Sequence, residues 1–342
     1  MTKQSMTALE QQILDTIQDA FPLEERPYKA LAEKFCAQGE AVSEQQVFEA
    51  VENLRVSGVI RRIGGIYDSR RLGFISRLCA GKVSDIEKFA AAVNEVPAIT
   101  HNYIRSHEFN VWFTVIAENE SEVQKIVDAL CSKTDLQDVH ILTVTKKFKI
   151  DTVMTRGPRS TVVAAPVLAK GHSGCERIRN PYISSNTCIE DSDRARIRVA
   201  CTDIPHSLMP FSDWGVSVEE LREDIAKGFM RRFGAILRHQ QAGFAYNAMV
   251  CFASHVIANE VKQSILKENE GDILAKNPHV SHCYDRPAFD GFPYNLYAMM
   301  HAQSAEDLDR YIKEAAQSIG NPDYAVLHSL KELKKTSFNF FA

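Results

Sequence analysis

One fourteen-residue phrase occurs twice in this chain, and it limits the architecture more than any other feature. Arg61–Phe74 reads RRIGGIYDSRRLGF and Arg231–Phe244 reads RRFGAILRHQQAGF, with six positions identical at an offset of 170. The echo continues: Thr100-His101-Asn102-Tyr103-Ile104-Arg105 is answered by Ser281-His282-Cys283-Tyr284-Asp285-Arg286, and Pro97 by Pro278, at an offset of 181. Asn110 then matches Asn295, and Lys149 matches Lys334, at an offset of 185. Offsets that drift in this way are what small loop insertions between matched elements produce. Internal repetition outranks other signals for architecture, so the chain reads as a duplication and fusion of one unit.

Its 342 residues suffice for several compact domains with real cores. No apolar run approaches the roughly eighteen residues of a membrane span, and Met1–Glu10 is polar, without the apolar core of a signal peptide. A cytoplasmic protein is the expectation. The net charge of −4 argues against non-specific nucleic-acid binding, which needs an excess of Lys and Arg. The eight cysteines form no CxxC pair, so they read as reduced structural thiols rather than a zinc ribbon.

Along the chain, Leu9, Ile13, Leu14 and Ile17 have the spacing of an amphipathic helix over Ala8–Ala20. Pro27 opens a second helix. Ser43, with Gln46 three residues on, is a capping-box start for a third that stops at Gly58. A strand over Val59–Tyr67 follows, and three helices running into a strand hairpin predict a winged helix-turn-helix over 1–58. Its third helix sets Glu44, Glu49 and Glu52 against a single Arg55, a poor surface for phosphates. The next elements are strands at Ile75–Val83, Ala98–Arg105, Val111–Ala117 and His140–Lys149, with helices at Asp85–Val93 and Ser121–Cys131. That βαββαβ order predicts a ferredoxin-like domain over 59–150. Periodicity fails over 151–193, a linker rich in Pro, Gly, Ser and Thr. The plan then repeats as a degenerate winged helix over 194–230 and a second βαββαβ domain over 231–342. Pro210-Phe211 answers Pro27-Tyr28, and Val216-Ser217 answers Val42-Ser43. The fold class is therefore α+β, two tandem units whose halves satisfy each other as an internal pseudo-dimer, with further homo-oligomerisation left open.

A winged helix followed by βαββαβ resembles the Lrp/AsnC regulator fold. The longer phrases GVIRRIGGIYDSRRLGF, THNYIRSHEFNVWFT, RRFGAILRHQQAGF, SHCYDRP and FPYNLYAMMH resemble, more specifically, the sirohaem (siroheme) decarboxylases. The first half looks like one subunit type of that heterodimeric enzyme and the second half like its partner. The resemblance implies removal of CO2 from the C12 and C18 acetates of sirohaem to give didecarboxysirohaem, in an alternative haem or haem d1 route. It implies no cofactor beyond the iron already in the substrate, and no metal of the protein's own.

Such a substrate is a flat macrocycle ringed with carboxylates, so its binder needs guanidinium donors at the rim and aromatic surface at the faces. The repeated phrases offer Arg61, Arg62, Arg105, Arg231, Arg232, Arg238 and Arg286, with Tyr284 and Asn295 beside them. Loss of CO2 leaves carbanion-like charge that an acid must protonate, and His serves near neutral pH. His239 and His282 are the leading acid or iron-ligand candidates. His101 and His107 come second, as a degenerate site or as contributors across the pseudo-dimer interface. Where the first copy has Asp68 and Ser69, the second has Arg238 and His239, so a productive site dominated by the second half is expected. The rival readings are an Lrp/AsnC-type ligand-sensing regulator and a tetrapyrrole-binding protein without turnover.

Overall fold

The computed structural model describes residues 6–150, 189–238, 246–254 and 269–341. These form two compact units, and each draws on both halves of the sequence.

The first unit, within 6–73, 189–238 and 339–341, holds the winged-helix elements. Helices α1 (Ala8–Asp19), α2 (Pro27–Ala37) and α3 (Glu44–Val56) precede strand β1 (Ile60–Tyr67). Later in the chain α6 (Asp191–Ala200), α7 (Pro210–Trp214) and α8 (Val218–Ala226) precede β7 (Met230–Leu237) in the same order. Ser43 and Ser217 each cap their helix through a capping box with Gln46 and Glu220, which satisfies otherwise orphaned N–H groups. The expected wing hairpin is not what these strands build. β1 pairs antiparallel with β7 of the other copy, and Gly64 faces its own repeat-mate Gly234. Equivalent residues facing each other across an antiparallel pair place a local twofold axis between them. The doubled RRxG phrase makes this contact. Arg62 donates to Thr202 O at the end of α6 and to Gly65 O, while Arg232 donates to Gln18 O at the end of α1. A Cβ at Gly64 would run into Thr202 O, and one at Gly234 into Ile17 O, so only glycine lets the partner helix end sit on the strand. Phe21, Phe211 and Phe233 fill the space beneath, with centroids 5.7–6.5 Å apart. The expected boundaries at 58/59 and 230/231 therefore shift: the β1 and β7 segments belong with the helices, because their hydrogen bonds go to each other.

The second unit, within 74–150, 246–254 and 269–338, holds both βαββαβ modules. In the first module the elements are β2 (Ile75–Lys82), α4 (Ile86–Asn94), β3 (Ile99–Arg105), β4 (Val111–Ala117), α5 (Glu120–Lys133), β5 (Gln137–Leu142) and β6 (Lys146–Ile150). The second has β8 (Tyr246–Phe252), α9 (Glu270–Lys276), β9 (Val280–Asp285), β10 (Leu296–Ala302), α10 (Ala305–Ser318) and β11 (Tyr324–Lys335). The strand expected over His140–Lys149 is two strands, because the chain changes partners midway. β5 pairs with β2 of its own copy, and β6 with β9 of the other. β11 does the same without a break: its first half pairs with β8 and its second with β3, across a bulge at Leu330. The order is β5-β2-β4-β3-β11-β8-β10-β9-β6.

Alternation along the strands sorts side chains into layers. Phe89, Val93, Val123, Val127 and Leu130 of α4 and α5 cover the outer face of the first half-sheet. Leu274, Leu308, Ile312 and Ala316 of α9 and α10 cover the outer face of the second. Between the inner faces lie Ala80, Trp112, Leu142, Met249, Cys251, Phe292, Tyr297 and Leu327, drawn from both copies. Lys149 and Lys334 make reciprocal ties: Lys149 donates to Asn277 O at the end of α9 (2.9 Å), and Lys334 to Val96 O beyond α4 (2.7 Å). A cation at a helix C-terminus is favourable. Among the described residues, no helix is long and apolar enough to cross a membrane.

Candidate active site in the inter-sheet layer

The two His-x-Tyr-x-Arg phrases lie on β3 and β9. With a period of two, His101, Tyr103 and Arg105 share one face of β3, and His282 and Tyr284 share one face of β9, with Arg286 one residue past its end. That face is the inner one, because Arg105 reaches Leu327 O (3.1 Å), Ser329 Oγ (3.0 Å) and Met299 Sδ (3.7 Å). Arg286 correspondingly donates to Leu142 O at 2.9 Å. Each arginine thus bonds the closing strand of the other copy. Each also lies over aromatic rings: Arg105 over Tyr103 at 5.0 Å, and Arg286 over Tyr284 at 5.2 Å and Tyr297 at 5.9 Å.

These guanidiniums are the chemical core of the site. Arg105 is 4 % exposed and Arg286 8 %, and among the described residues no carboxylate lies within 4 Å of either. The Nε of both is buried without a hydrogen-bond partner. Burial pulls the Arg105 pKa down to about 10, still cationic at neutral pH, and also lowers that of Arg286. An isolated buried charge costs several kcal/mol, and an anionic ligand is what would relieve it. Arg286 is the less satisfied of the two. Val144 stands where the other copy has Ser329, whose hydroxyl bonds Arg105.

The histidines divide by environment. His101 and His282 are half-buried, and each Nδ1 is held at 2.9 Å by the preceding hydroxyl, Thr100 Oγ1 or Ser281 Oγ. The second copy adds buried His301, whose Nε2 lies 2.8 Å from the same Ser281 Oγ. His107 lies elsewhere, in an aromatic cluster stacked on Phe109 and edge-on to Phe292. Its Nδ1 accepts from Phe109 N, and burial lowers its pKa.

Other sequence candidates are placed differently. Asn295, expected to hold a substrate carboxylate, spends its amide on the fold: Oδ1 accepts from Ser254 N and Nδ2 donates to Asp285. Asn110 does the same with both main-chain groups of Val83. Arg61, Arg62, Arg231, Arg232 and Arg238 all belong to the winged-helix unit, where Arg62 and Arg232 serve helix ends; Arg231 and Arg238 are exposed. His239 lies outside the described residues. Sequence reasoning does not reach Ser281, Tyr297, Met299 or Ser329. One signal was available, since both copies place a hydroxyl residue, Thr100 or Ser281, just before the histidine. On α3, Arg55 is held by Asp203 and, at 3.1 Å, by Glu52, which leaves that helix an acidic face.

Comparison with known proteins bears on this geometry. The chain matches the model for the AsnC-like ligand-binding domain twice, over 71–149 and 241–334, and that for the siroheme decarboxylase NirDL-like HTH domain over 10–61. A siroheme decarboxylase of Hydrogenobacter thermophilus is 30 % identical over 341 residues, covering 96 % of this chain and 94 % of that one. The chain belongs to the siroheme decarboxylase family. In Desulfovibrio desulfuricans the family's enzyme is split: the alpha subunit is 40 % identical over 42 % of this chain and 82 % of its own, the beta subunit 32 % over 44 % and 94 %. The crystal structure of the siroheme decarboxylase NirDL in complex with an iron-uroporphyrin III analogue superposes with a TM-score of 0.60 at 27 % identity, covering 96 % of this chain and 93 % of that one. Family membership thus agrees with the two-copy architecture and with the α+β fold expected from the sequence.

Proposed function

We propose that this chain is a carboxy-lyase that converts sirohaem to didecarboxysirohaem, by removing CO2 from the C12 and C18 acetates. The observation that carries the proposal is the pair of buried guanidiniums, Arg105 and Arg286, flanked by tyrosines and histidines in a layer built from both copies. A guanidinium fork suits a carboxylate, and a desolvated one binds it more strongly than an exposed one does. In each cycle the bond between the acetate methylene and its carboxyl carbon breaks. CO2 leaves, the electron pair stays on the methylene and its conjugated pyrrole, and a proton makes the methyl group.

His282 is the assigned proton donor, with Tyr284 and Arg286 holding the rim beside it. His101, Tyr103 and Arg105 form the corresponding set in the first copy, and His239 keeps its role as a second acid or iron-ligand candidate in this proposal. The iron enters with the substrate. Names of relatives that contain siroheme, and a neighbour holding an iron-uroporphyrin analogue, support the substrate class. The test is anaerobic incubation with sirohaem followed by mass spectrometry of the tetrapyrrole. Loss of two carboxyl groups is expected. Unchanged sirohaem with a shifted absorption band would instead favour a tetrapyrrole-binding protein without turnover.

A further inference from the structure

On the decarboxylase reading of the inter-sheet layer, we propose that His301 is a positioning residue. Acting through Ser281, it selects which ring nitrogen of His282 carries a proton. The three side chains form a chain of contacts across two paired strands. Ser281 Oγ lies 2.9 Å from His282 Nδ1 and 2.8 Å from His301 Nε2, and 3.3 Å from Met299 O. Ser281 and His301 are 8 % and 9 % exposed, which shields the bridge, whereas His282 is half-buried.

A serine hydroxyl has one hydrogen to give and lone pairs to receive with, so its two imidazole contacts are coupled whenever that hydrogen goes to an imidazole rather than to Met299 O, the longest of its three contacts at 3.3 Å. When His301 presents Nε2–H, the hydroxyl accepts from it and donates to His282 Nδ1. His282 is then the Nε2–H tautomer, an acid toward the substrate. When His301 presents a bare Nε2, the hydroxyl turns to it and accepts from His282 Nδ1–H, leaving His282 with a lone pair at Nε2. That form is a base or an iron ligand. The second nitrogen of a working imidazole commonly sets the first in this way.

Among the described residues, the first copy has no such bridge. Thr100 Oγ1 holds His101 Nδ1 at the same 2.9 Å, but the position equivalent to His301 is Ile116. The β4 and β10 registers support that equivalence, since Tyr103 pairs with Trp112 as Tyr284 pairs with Tyr297. Among the described residues, the Thr100 hydroxyl that holds His101 thus meets no second imidazole. The assignment gives a physical basis for one copy doing the protonation while the other binds.

The test compares the full-length protein with His301→Leu, His301→Gln and Ser281→Ala. Readouts are the 15N shifts of the His282 ring nitrogens, the turnover of sirohaem, and sirohaem binding followed by absorption. Glutamine retains a nitrogen donor and a carbonyl acceptor near the Nε2 position. In wild type His282 should show a single tautomer, and in His301→Leu and Ser281→Ala a mixture. For those two variants kcat should fall about 10–100-fold with KM within about threefold, the usual size of such second-layer effects. His301→Gln should restore kcat to within about threefold of wild type. A His301→Leu variant with the wild-type tautomer and wild-type kcat would overturn the assignment. If wild type binds sirohaem without forming product, the decarboxylase reading falls, and the ring shifts still decide the coupling. Should His301→Leu not fold, His301→Gln and Ser281→Ala carry the comparison.

Discussion

A guanidinium held in a protein interior without a carboxylate is costly for stability, and that cost makes a residue's task readable. Arg286 has one carbonyl acceptor, two tyrosine faces and an unpaired Nε, and it lies in the layer built from both copies. Replacing it with methionine, of similar length and apolar, removes the buried charge. Folding stability should hold or rise by about 1 kcal/mol, as when buried charges yield to hydrophobes. Sirohaem affinity should weaken at least about tenfold, since a desolvated carboxylate contact is lost. Urea unfolding and absorption titration read the two separately, and a fall in both would mark Arg286 as structural. Asn102 gives the contrasting case. It is fully buried on β3, neither polar atom of its amide has a partner, and its repeat-mate is Cys283, buried in the core of the second copy. Asn102→Cys should raise stability by about 1 kcal/mol by removing an unsatisfied amide. An upward shift of the urea midpoint at unchanged slope is the expected sign.

At the level of elements, the sequence carries the kind and face of each strand and helix far better than its partners. Hydrophobic spacing and the Ser43 cap locate α1 to α3 to within about two residues, because those signals are local. Period-two patterning likewise puts His282 and Tyr284 on one face of a strand, which needs no knowledge of what that strand pairs with. Pairing is not local. Nothing in RRIGGIY says that it meets RRFGAIL rather than the strand after it, and nothing in HILTVTKKFK says that it changes sheets at Thr143–Thr145. His301 is hidden for the same reason: its link to His282 runs through the register of β9 on β10, which shifts between Met299 and Met300. The repeat phrase itself reads as ligand-facing, yet its glycines answer to packing. Gly64→Ala places a methyl against Thr202 O, and Gly234→Ala places one against Ile17 O. Each should cost about 1–3 kcal/mol, the usual range for overpacking, through loss of the β1–β7 contact. Thermal unfolding of both variants checks this, and wild-type melting for either would disconnect the doubled phrase from the pairing.

At the level of the whole chain, the duplication is worked into the hydrogen bonding. β6 of the first copy completes the second half-sheet beside β9, and the end of β11 completes the first beside β3. Lys149 and Lys334 repeat the exchange at helix ends, and Arg62 and Arg232 repeat it in the other unit. A half expressed alone would leave the inner edges of β3 or β9 unpaired and the Trp112–Tyr297 layer open to water, an arrangement prone to aggregation. Covalent continuity, by contrast, contributes mainly effective concentration. Cutting the gene within 151–188 should therefore give two chains that fold only together. Co-expressed halves should co-purify at one-to-one stoichiometry and unfold in a single transition whose midpoint rises with concentration, as mass action requires. Each half alone should be insoluble or expanded by small-angle scattering. The separate alpha and beta subunits of the Desulfovibrio desulfuricans relative are the natural form of that cut. Two independently folded halves that do not associate would contradict the strand exchange, and with it the assignment of Arg105 and Arg286 to a layer that both copies must build.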